Sequence, residues 1–176
     1  MTRQALRGVI AAVATAVDED GEPDCGRATA LAHFLLSNGC DGLNVLGTTG
    51  EATSFSVTQR KAVMNAYRTA GLPLECMMVG TGAAATADAV ELTRHAAELG
   101  FAGALVLPPF YYKGVPDDGL AAYVGTIVAA TAERPTKWSP AAPADVLRNV
   151  RRERFIMAFL LFELPTHNLP ENRDSC

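Results

Sequence analysis

The stretch Gly42-Leu-Asn-Val-Leu-Gly-Thr-Thr-Gly-Glu51 contains an apolar run that stops at a glycine and is followed by two threonines and a carboxylate. The run has the length and composition of a buried strand. Gly47 and Gly50 permit the backbone conformations that a tight turn needs. Such a turn would present the hydroxyl groups of Thr48 and Thr49, with nearby backbone N–H groups, to a small anion or a carbonyl. The stretch therefore predicts a strand that ends in a binding turn, with an ordinary strand-to-helix loop as the alternative.

On either side of this stretch, short apolar runs alternate with helical patterns, which is typical of successive βα units and a parallel sheet. The apolar runs are about 30 residues apart, which is the length of such a unit. We predict strands over Val9–Val17, Leu43–Leu46, Cys76–Val79 and Ala104–Leu107. We predict helices over Arg27–Ser37, from Ser56 to Ala70, over Ala87–Leu99, and from about Asp117 to Ala130.

Several predicted helices carry signals at their ends. Ser56-Val-Thr-Gln59 fits a capping box at the start of the second helix, and Gly71 and Pro73 follow its end. Residues 38–46 and 99–107 align without a gap and share two glycines at a helix-to-strand joint. This internal repeat favours a rotationally repeating architecture over an open sheet. Four strands, each followed by a helix, make half of an eight-fold barrel.

Length and composition limit the possibilities. A chain of 176 residues that is 49% hydrophobic can bury one sizeable core, so we expect one domain. It is short for a β/α barrel, which typically needs about 250 residues. The net charge of −4 gives no reason to expect nucleic acid or an anionic membrane as a partner.

The metal-ligating residue types are scattered along the chain. The cysteines and histidines show no C-x-x-C pair and no metal-site spacing, so we expect no metal and no cofactor. These residues are Cys25, Cys40, Cys76, Cys176, His33, His95 and His167. The cysteine pattern indicates reduced thiols, and the apolar run near the N-terminus is followed at once by acidic residues, which fits a first strand better than a signal peptide. We therefore expect a cytoplasmic protein.

Three segments together resemble the dihydrodipicolinate synthase and N-acetylneuraminate lyase family. They are Gly8–Val17 with Asp20–Asp24, the turn Gly47–Glu51, and Leu105–Gly114 with Asp117–Leu120. The resemblance covers about residues 8–131. It implies an α/β fold of the (β/α)8 TIM-barrel type, here truncated to roughly the first four βα units. It also implies a pyruvate-dependent class I lyase or aldolase that works through a Schiff base, without a cofactor.

The resemblance assigns roles to individual residues. It implies that Thr49 is the hydroxyl of a proton relay and that Thr48 binds the keto-acid carboxylate, with the backbone of Gly47 and Gly50 alongside. It implies that either Tyr111 or Tyr112 is the relay tyrosine. The alternative for the tyrosines is an aromatic plug at the mouth of the barrel. These positions follow predicted strands, where β/α barrels carry their active sites.

The Schiff-base lysine itself has no counterpart. The family places it on the sixth strand, and a lysine of this kind must be deprotonated by burial or by a nearby cation. This chain has three lysines, Lys61, Lys113 and Lys137, and none stands in an apolar strand. We therefore expect a catalytically impaired member of the family. The alternatives are a non-catalytic keto-acid-binding or scaffolding protein, and a β/α enzyme that uses the tyrosines as acid and base.

The family resemblance ends at about residue 131. We therefore predict two parts: a partial barrel over residues 1–131 and a divergent segment over residues 132–176. Pro135, Pro140 and Pro143 make a linker, and Ala144–Leu164 could form one helix. This helix could pack on the flank of the half barrel or bind a membrane surface or a partner. The expectation we favour is that the segment is the out-of-frame end of a truncated barrel gene. A half barrel leaves sheet edges unpaired, so we expect a homo-oligomer if the chain folds.

Overall fold

The computed structural model describes residues 6–132 and 158–161. The described strands form one five-stranded sheet in the order β1-β2-β3-β4-β5. The first four strands are parallel, and β5 runs antiparallel to β4. The strands are β1 (Ile10–Ala12), β2 (Gly42–Val45), β3 (Met77–Gly80), β4 (Gly103–Val106) and β5 (Ala158–Leu161). Each of the first four is followed by a helix, which confirms the predicted α/β fold of successive βα units.

Capping residues mark the starts of α1 and α2 and the end of α3. They are α1 (Cys25–Ser37), α2 (Val57–Thr69), α3 (Thr86–Leu99) and α4 (Asp117–Ala132). The Asp24 side chain accepts a hydrogen bond from the Arg27 amide at the start of α1. The predicted capping box at Ser56 and Gln59 is present at the start of α2. Gly100 ends α3 with a φ of 93°, a left-handed conformation that glycine adopts without a steric penalty.

The hydrophobic core lies between the sheet and this layer of helices. Each helix packs against the next along the chain, and alternate strand residues face the helices. The strand residues in this core are Leu43, Val45, Met77, Val79, Ala104 and Val106. The helices contribute mainly small and branched side chains, among them Ala28, Ala32, Val63, Met64, Ala89, Leu92, Ala96, Val124 and Ile127. The opposite face of the sheet carries Ala12, Asn44 and Met78 in one register row.

The first strand is shorter than predicted. We predicted a strand over Val9–Val17, but pairing with β2 covers only Ile10–Ala12. Beyond it the chain makes a closed turn, in which the Asp18 carboxylate accepts hydrogen bonds from the amides of Asp20 and Glu22. A bridge between Val17 and Pro23 closes this turn. The Val13 amide still donates to the Asn44 carbonyl at 3.0 Å, and the pairing of this segment with β2 ends there.

The predicted helix over Ala144–Leu164 is wrong for the four residues of it that the structure describes. Ala158–Leu161 form β5, with Ala158 opposite Val106 and Leu161 opposite Gly103. The rest of the predicted helix and the proline-rich linker lie outside the described residues. A short apolar run cannot be assigned to a helix or a strand by periodicity alone. Here it satisfies the backbone groups along the outer edge of β4, which is a buried strand.

Two further expectations concern membranes and thiols. Within residues 6–132, no helix is long and apolar enough to cross a bilayer. Cys25 and Cys40 are free thiols. Cys76 is disulfide-bonded, so the expectation of a reduced thiol is wrong for this residue.

Candidate functional site

The turn after β2 has an unusual backbone. Leu46 and Glu51, which flank it, have φ values of 50° and 51°, a left-handed region that costs a non-glycine residue about 1 kcal/mol or more. Leu46 is buried, whereas Thr48 and Thr49 are exposed at the tip of the turn. The amide of Glu51 donates to the Thr48 carbonyl at 3.1 Å, which closes the turn. The turn therefore presents two threonines to solvent, between two residues in a strained left-handed conformation.

The segment that follows β1 holds this turn in place. The Thr15 hydroxyl donates to the Gly50 carbonyl at 2.7 Å. A Cβ atom at Gly50 would lie 2.9 Å from the carbonyl oxygen of Val13 and 3.0 Å from the amide of Leu46. Such distances are shorter than ordinary van der Waals contact, so only glycine allows this approach. Gly47 is buried beside the Asn44 side chain. Neither glycine has a positive φ, so what they contribute to the turn is room for close approach and not the left-handed conformation, which Leu46 and Glu51 adopt.

The segment between β3 and α3 lies beside the turn. A Cβ atom at Gly80 would overlap the carbonyl oxygen of Leu46, immediately before the turn. A Cβ atom at Gly82 would lie 2.5 Å from the amide of Leu107, immediately after β4. The backbone of this segment, residues 80–85, is therefore packed between the ends of β2 and β4. We call it the β3–α3 connection.

A buried arginine on α2 forms hydrogen bonds to the backbone of the β3–α3 connection. Arg60, on α2, is only 3% exposed. Its Nη2 donates to the Gly80 carbonyl at 2.8 Å and its Nη1 donates to the Gly82 carbonyl at 3.1 Å. Burial lowers the pKa of Arg60 to about 10, partly offset by Tyr123 and Asp88, so the guanidinium remains charged near neutral pH. Its Nε has no hydrogen-bond partner among the described residues.

Further polar contacts fix the same connection. The Tyr123 hydroxyl, on α4, donates to the Ala83 carbonyl at 3.2 Å. Burial raises the pKa of Tyr123, against the effects of this hydrogen bond and of Arg60. The Thr81 and Thr93 hydroxyls lie 2.8 Å apart, and Thr93 also lies 2.7 Å from the Ala89 carbonyl. The β3–α3 connection is thus tied to three helices by buried side chains.

The tyrosines that follow β4 project into solvent. Tyr111 is 75% exposed and Tyr112 is 66% exposed. Their ring centroids are 5.3 Å apart with planes at 89°, an edge-to-face pair. Phe110 beside them is 44% exposed. Both tyrosine hydroxyls are therefore accessible to a ligand or to another protein surface.

The threonines and tyrosines follow parallel strands of one sheet. Because β2 and β4 run in the same direction, the loops that follow them leave the sheet at the same end, where the parallel strands have their C-termini. β3 lies between them, so the two loops start roughly 10 Å apart. Within residues 6–132, no hydrogen bond joins Thr48 or Thr49 to Tyr111 or Tyr112. The fold therefore brings the predicted threonines and tyrosines to the same end of the sheet, without a hydrogen bond between them.

The described lysines stand away from the strands. Lys61 lies on α2, where its Nζ is 3.0 Å from the Glu91 carboxylate in a partly exposed ion pair. Lys113 is exposed in the loop after the tyrosines. Lys137 lies outside the described residues. Among residues 6–132 and 158–161, no group of three histidine, cysteine, aspartate or glutamate side chains is placed to hold a metal ion.

A surface cavity of about 610 Å³ lies elsewhere, over the outer helices. It is lined by α2, α3 and α4 residues, including Lys61, Glu91, Arg94 and His95. Two of its polar side chains have neighbouring partners: Arg94 donates to the Ala130 carbonyl, and His95 lies 2.9 Å from the Asn65 amide oxygen. Neither the threonine turn nor the tyrosines line this cavity, so it is not the candidate site.

Arg60 and Tyr123 were missed by reasoning from the sequence. Arg60 occupies the same buried stripe of α2 as Val63, Met64 and Tyr67. A charged residue at the start of an apolar i, i+3, i+4, i+7 stripe was a detectable signal, because a buried charge needs a partner. The identity of that partner, a pair of backbone carbonyls on a distant connection, could not be read from the stripe.

Comparison with known proteins identifies the family that the chain resembles. The profile of the family described as the dihydrodipicolinate synthetase family matches residues 5–136. The 4-hydroxy-tetrahydrodipicolinate synthase of Parasynechococcus marenigrum is 42% identical over 127 residues, which cover 72% of this chain and 42% of that protein. The corresponding protein of Prochlorococcus marinus strain MIT 9303 is 39% identical over the same share. The chain thus spans less than half the length of these relatives.

Solved structures give the same result. The dihydrodipicolinate synthase of Agrobacterium tumefaciens superposes with a TM-score of 0.68 at 32% identity, over 72% of this chain and 44% of that one. The N-acetylneuraminate lyase of Proteus mirabilis superposes with a TM-score of 0.65 at 34% identity, over 72% and 43%. Sequence and fold agree, and the chain belongs to the dihydrodipicolinate synthetase family.

Proposed function

We propose that residues 6–132 supply the keto-acid-binding turn and the relay residues of a pyruvate-dependent class I lyase or aldolase, such as a 4-hydroxy-tetrahydrodipicolinate synthase. The observation that carries this proposal is the pair Thr48 and Thr49, exposed on a turn whose backbone is fixed by the close approach of Gly50 to Val13. A defined turn that offers hydroxyl and amide donors suits a small carboxylate.

The relatives support a keto acid as the ligand. YagE of E. coli K12 and the dihydrodipicolinate synthase of Acinetobacter baumannii were each solved in complex with pyruvate. Each is 29% identical to this chain with a TM-score of 0.65. By this likeness we assign carboxylate binding to Thr48 and the relay hydroxyl to Thr49. The relay tyrosine is Tyr111 or Tyr112, whose exposed hydroxyls leave both available.

The binding proposal is tested with pyruvate itself. Saturation-transfer NMR or calorimetry on the purified chain measures pyruvate affinity for the wild type and for Thr48→Val and Thr49→Val. Thr48→Val removes a hydrogen-bond donor to the carboxylate and should weaken binding by roughly tenfold. Thr49→Val removes the assigned relay hydroxyl and should weaken binding less. Thr126→Val is the matched control, since Thr126 is an exposed threonine on α4 that donates to the Ala122 carbonyl. Equal affinities for all four proteins would contradict the assignment of the turn.

A second candidate is a protein that binds the keto acid without chemistry. The placement of the described lysines favours it: Lys61 is paired with Glu91, Lys113 is exposed in a loop, and neither lies on a strand. A Schiff-base lysine needs a surrounding that depresses its pKa, by burial or by a neighbouring cation.

Borohydride reduction distinguishes the two candidates for this 176-residue chain. We expect no covalent product when the chain is incubated with pyruvate and borohydride, because no described lysine has the required surroundings. Intact-mass spectrometry followed by peptide mapping measures the product. A stoichiometric adduct on any lysine would overturn the non-covalent candidate and show that the chain forms the Schiff base itself.

A further inference from the structure

Arg60 is a charged side chain in a position where an apolar one would be less costly. It is 3% exposed, on the face of α2 that otherwise carries Val63, Met64 and Tyr67. Within residues 6–132 it forms no ion pair with a carboxylate closer than 4 Å. Burying a charge is strongly unfavourable unless hydrogen bonds offset the loss of hydration. The hydrogen bonds that Arg60 makes therefore explain why its charge can be buried there.

Those hydrogen bonds all go to one short stretch of backbone. The two terminal nitrogens of the guanidinium hold the carbonyls of Gly80 and Gly82. The rigid fork of a guanidinium fixes the relative positions of two acceptors, which a single-point donor cannot do. Arg60 therefore holds the β3–α3 connection in place at its first three residues, 80–82.

The β3–α3 connection in turn separates the two segments of the candidate site. Gly80 packs against Leu46, one residue before the threonine turn, and Gly82 packs against Leu107, at the start of the tyrosine segment. A Cβ atom at Gly80 would meet the backbone of Leu46 and Gly47, and one at Gly82 would meet the backbone and the Cβ atom of Leu107, so neither position has room for a side chain. A shift of the connection must therefore move one or both neighbouring segments.

We propose that Arg60 is a positioning residue that sets the spacing between the Thr48–Thr49 turn and the Tyr111–Tyr112 segment, acting through the carbonyls of Gly80 and Gly82. This inference rests on the proposed keto-acid site at those segments. Tyr123 supports it from the other side, since its hydroxyl holds Ala83 on the same connection. Arg60 touches neither Thr48 nor the tyrosines, so its effect on ligand binding is transmitted by the backbone.

The experiment compares three variants of the full chain. Arg60→Met removes both donors while keeping much of the side-chain volume, and Arg60→Lys keeps the charge but loses the fork. Lys61→Met is the matched control, because it removes the adjacent cation on α2 together with an exposed ion pair to Glu91. Hydrogen exchange by mass spectrometry and pyruvate affinity are measured for each protein and for the wild type.

We expect faster exchange confined to residues 46–52, 80–85 and 105–112 in both Arg60 variants, with exchange in α1 unchanged. Pyruvate binding should weaken by roughly tenfold in Arg60→Met and by less in Arg60→Lys, since misplacing the turn loses about one hydrogen bond. Lys61→Met should match the wild type in both measurements. If Arg60→Met does not fold, the same local change in Arg60→Lys decides the question.

The inference is overturned if exchange speeds up evenly over the whole chain, which would mark a general stabilising role. It is also overturned if Arg60→Lys shows wild-type exchange in the three segments. Failure of the wild-type chain to bind pyruvate would contradict the proposed function instead. The exchange pattern would still decide the role of Arg60, because it is measured without ligand.

Discussion

At the scale of single residues, glycines at the strand ends allow the backbone segments of the site to touch. Gly80 lies where a side chain would overlap the carbonyl oxygen of Leu46, and that oxygen belongs to backbone that cannot rotate away. Leu46 is already in the left-handed region. The site therefore combines backbone strain with close packing at the same point.

Gly80→Ala should destabilise the chain by about 2 kcal/mol or more, because overpacking a rigid backbone contact forces the neighbouring strands apart. Gly125→Ala is the control: a Cβ at Gly125, within α4, would meet nothing within 4 Å. There alanine should stabilise by roughly 0.5–1 kcal/mol through its higher helix propensity. Urea unfolding followed by circular dichroism measures both. Equal tolerance of the two substitutions would contradict the packing described at Gly80.

At the scale of elements, α2 connects the site to the rest of the fold. Its buried stripe carries Arg60, and its first turn is capped by Ser56, whose side chain accepts from the Gln59 amide. The Gln59 side chain also donates to the Glu22 carboxylate at 2.7 Å, which links the helix to the turn after β1. The start of α2 is therefore tied to both local and distant groups.

Replacing the cap tests how much this helix start contributes. Ser56→Ala should lower the free energy of unfolding by about 1 kcal/mol, whereas Ser56→Gly should cost only about 0.3 kcal/mol. The difference arises because alanine neither accepts the amide hydrogen bond nor lets water solvate the exposed amides as glycine does. Chemical denaturation of both variants provides the measurement. A cost for glycine as large as that for alanine would show that the cap geometry is not what matters.

The buried phenol of Tyr67 on α2 makes stability depend on alkaline pH. Burial raises its pKa from 10.0 to about 12, with a smaller contribution from Cys25. Below pH 10 the phenol is protonated in both states and contributes no pH dependence. Above pH 10 the unfolded chain ionises Tyr67 while the folded chain keeps it protonated, so the unfolded state binds fewer protons and stability falls as pH rises.

The loss attributable to Tyr67 should reach about 2 to 3 kcal/mol near pH 12. Tyr67→Phe should remove this part of the decline, although Tyr123, whose pKa is also raised, continues to contribute in the same direction. Urea unfolding of both proteins from pH 9 to pH 11.5 gives the comparison. Parallel stability curves for the two proteins would show that the folded chain does not resist ionisation at Tyr67.

At the scale of the whole molecule, the sheet and the aromatic segment both expose groups suited to association. Among the described residues, β1 pairs only with β2, so its other edge has no partner strand. Phe110, Tyr111 and Tyr112 form a run of exposed aromatics beyond β4. Unpaired parallel edges and exposed aromatic surface favour contacts between copies.

We therefore propose that the chain self-associates. Sedimentation velocity over a range of concentrations should show species heavier than the 18.6 kDa monomer. Replacing Tyr111 and Tyr112 together by serine should reduce the association if the aromatic run takes part in it. A single monodisperse monomer at all concentrations, with a sharp thermal transition, would contradict this proposal.

Local signals were enough to predict much of the architecture. The capping box at Ser56, the glycine after α3 and the apolar runs before Gly47 and Leu107 depend on residues close together in sequence, and the second to fourth strands and α1 to α4 were found within a few residues of their predicted places. The prediction was less successful at the first strand, where β1 has only three residues. It was also wrong at Ala158–Leu161, where pairing with β4 selects a strand.

The sequence by itself determined the family, the order of the parallel βα units and the threonine turn, because periodicity, caps and the motif are encoded within short windows. Only the tertiary structure decided that Arg60 is buried against the Gly80 and Gly82 carbonyls and that Gly80 packs on Leu46. These contacts join residues that are tens of positions apart. Their existence depends on how the strands and helices pack, and a pattern along the chain carries no direct record of that packing.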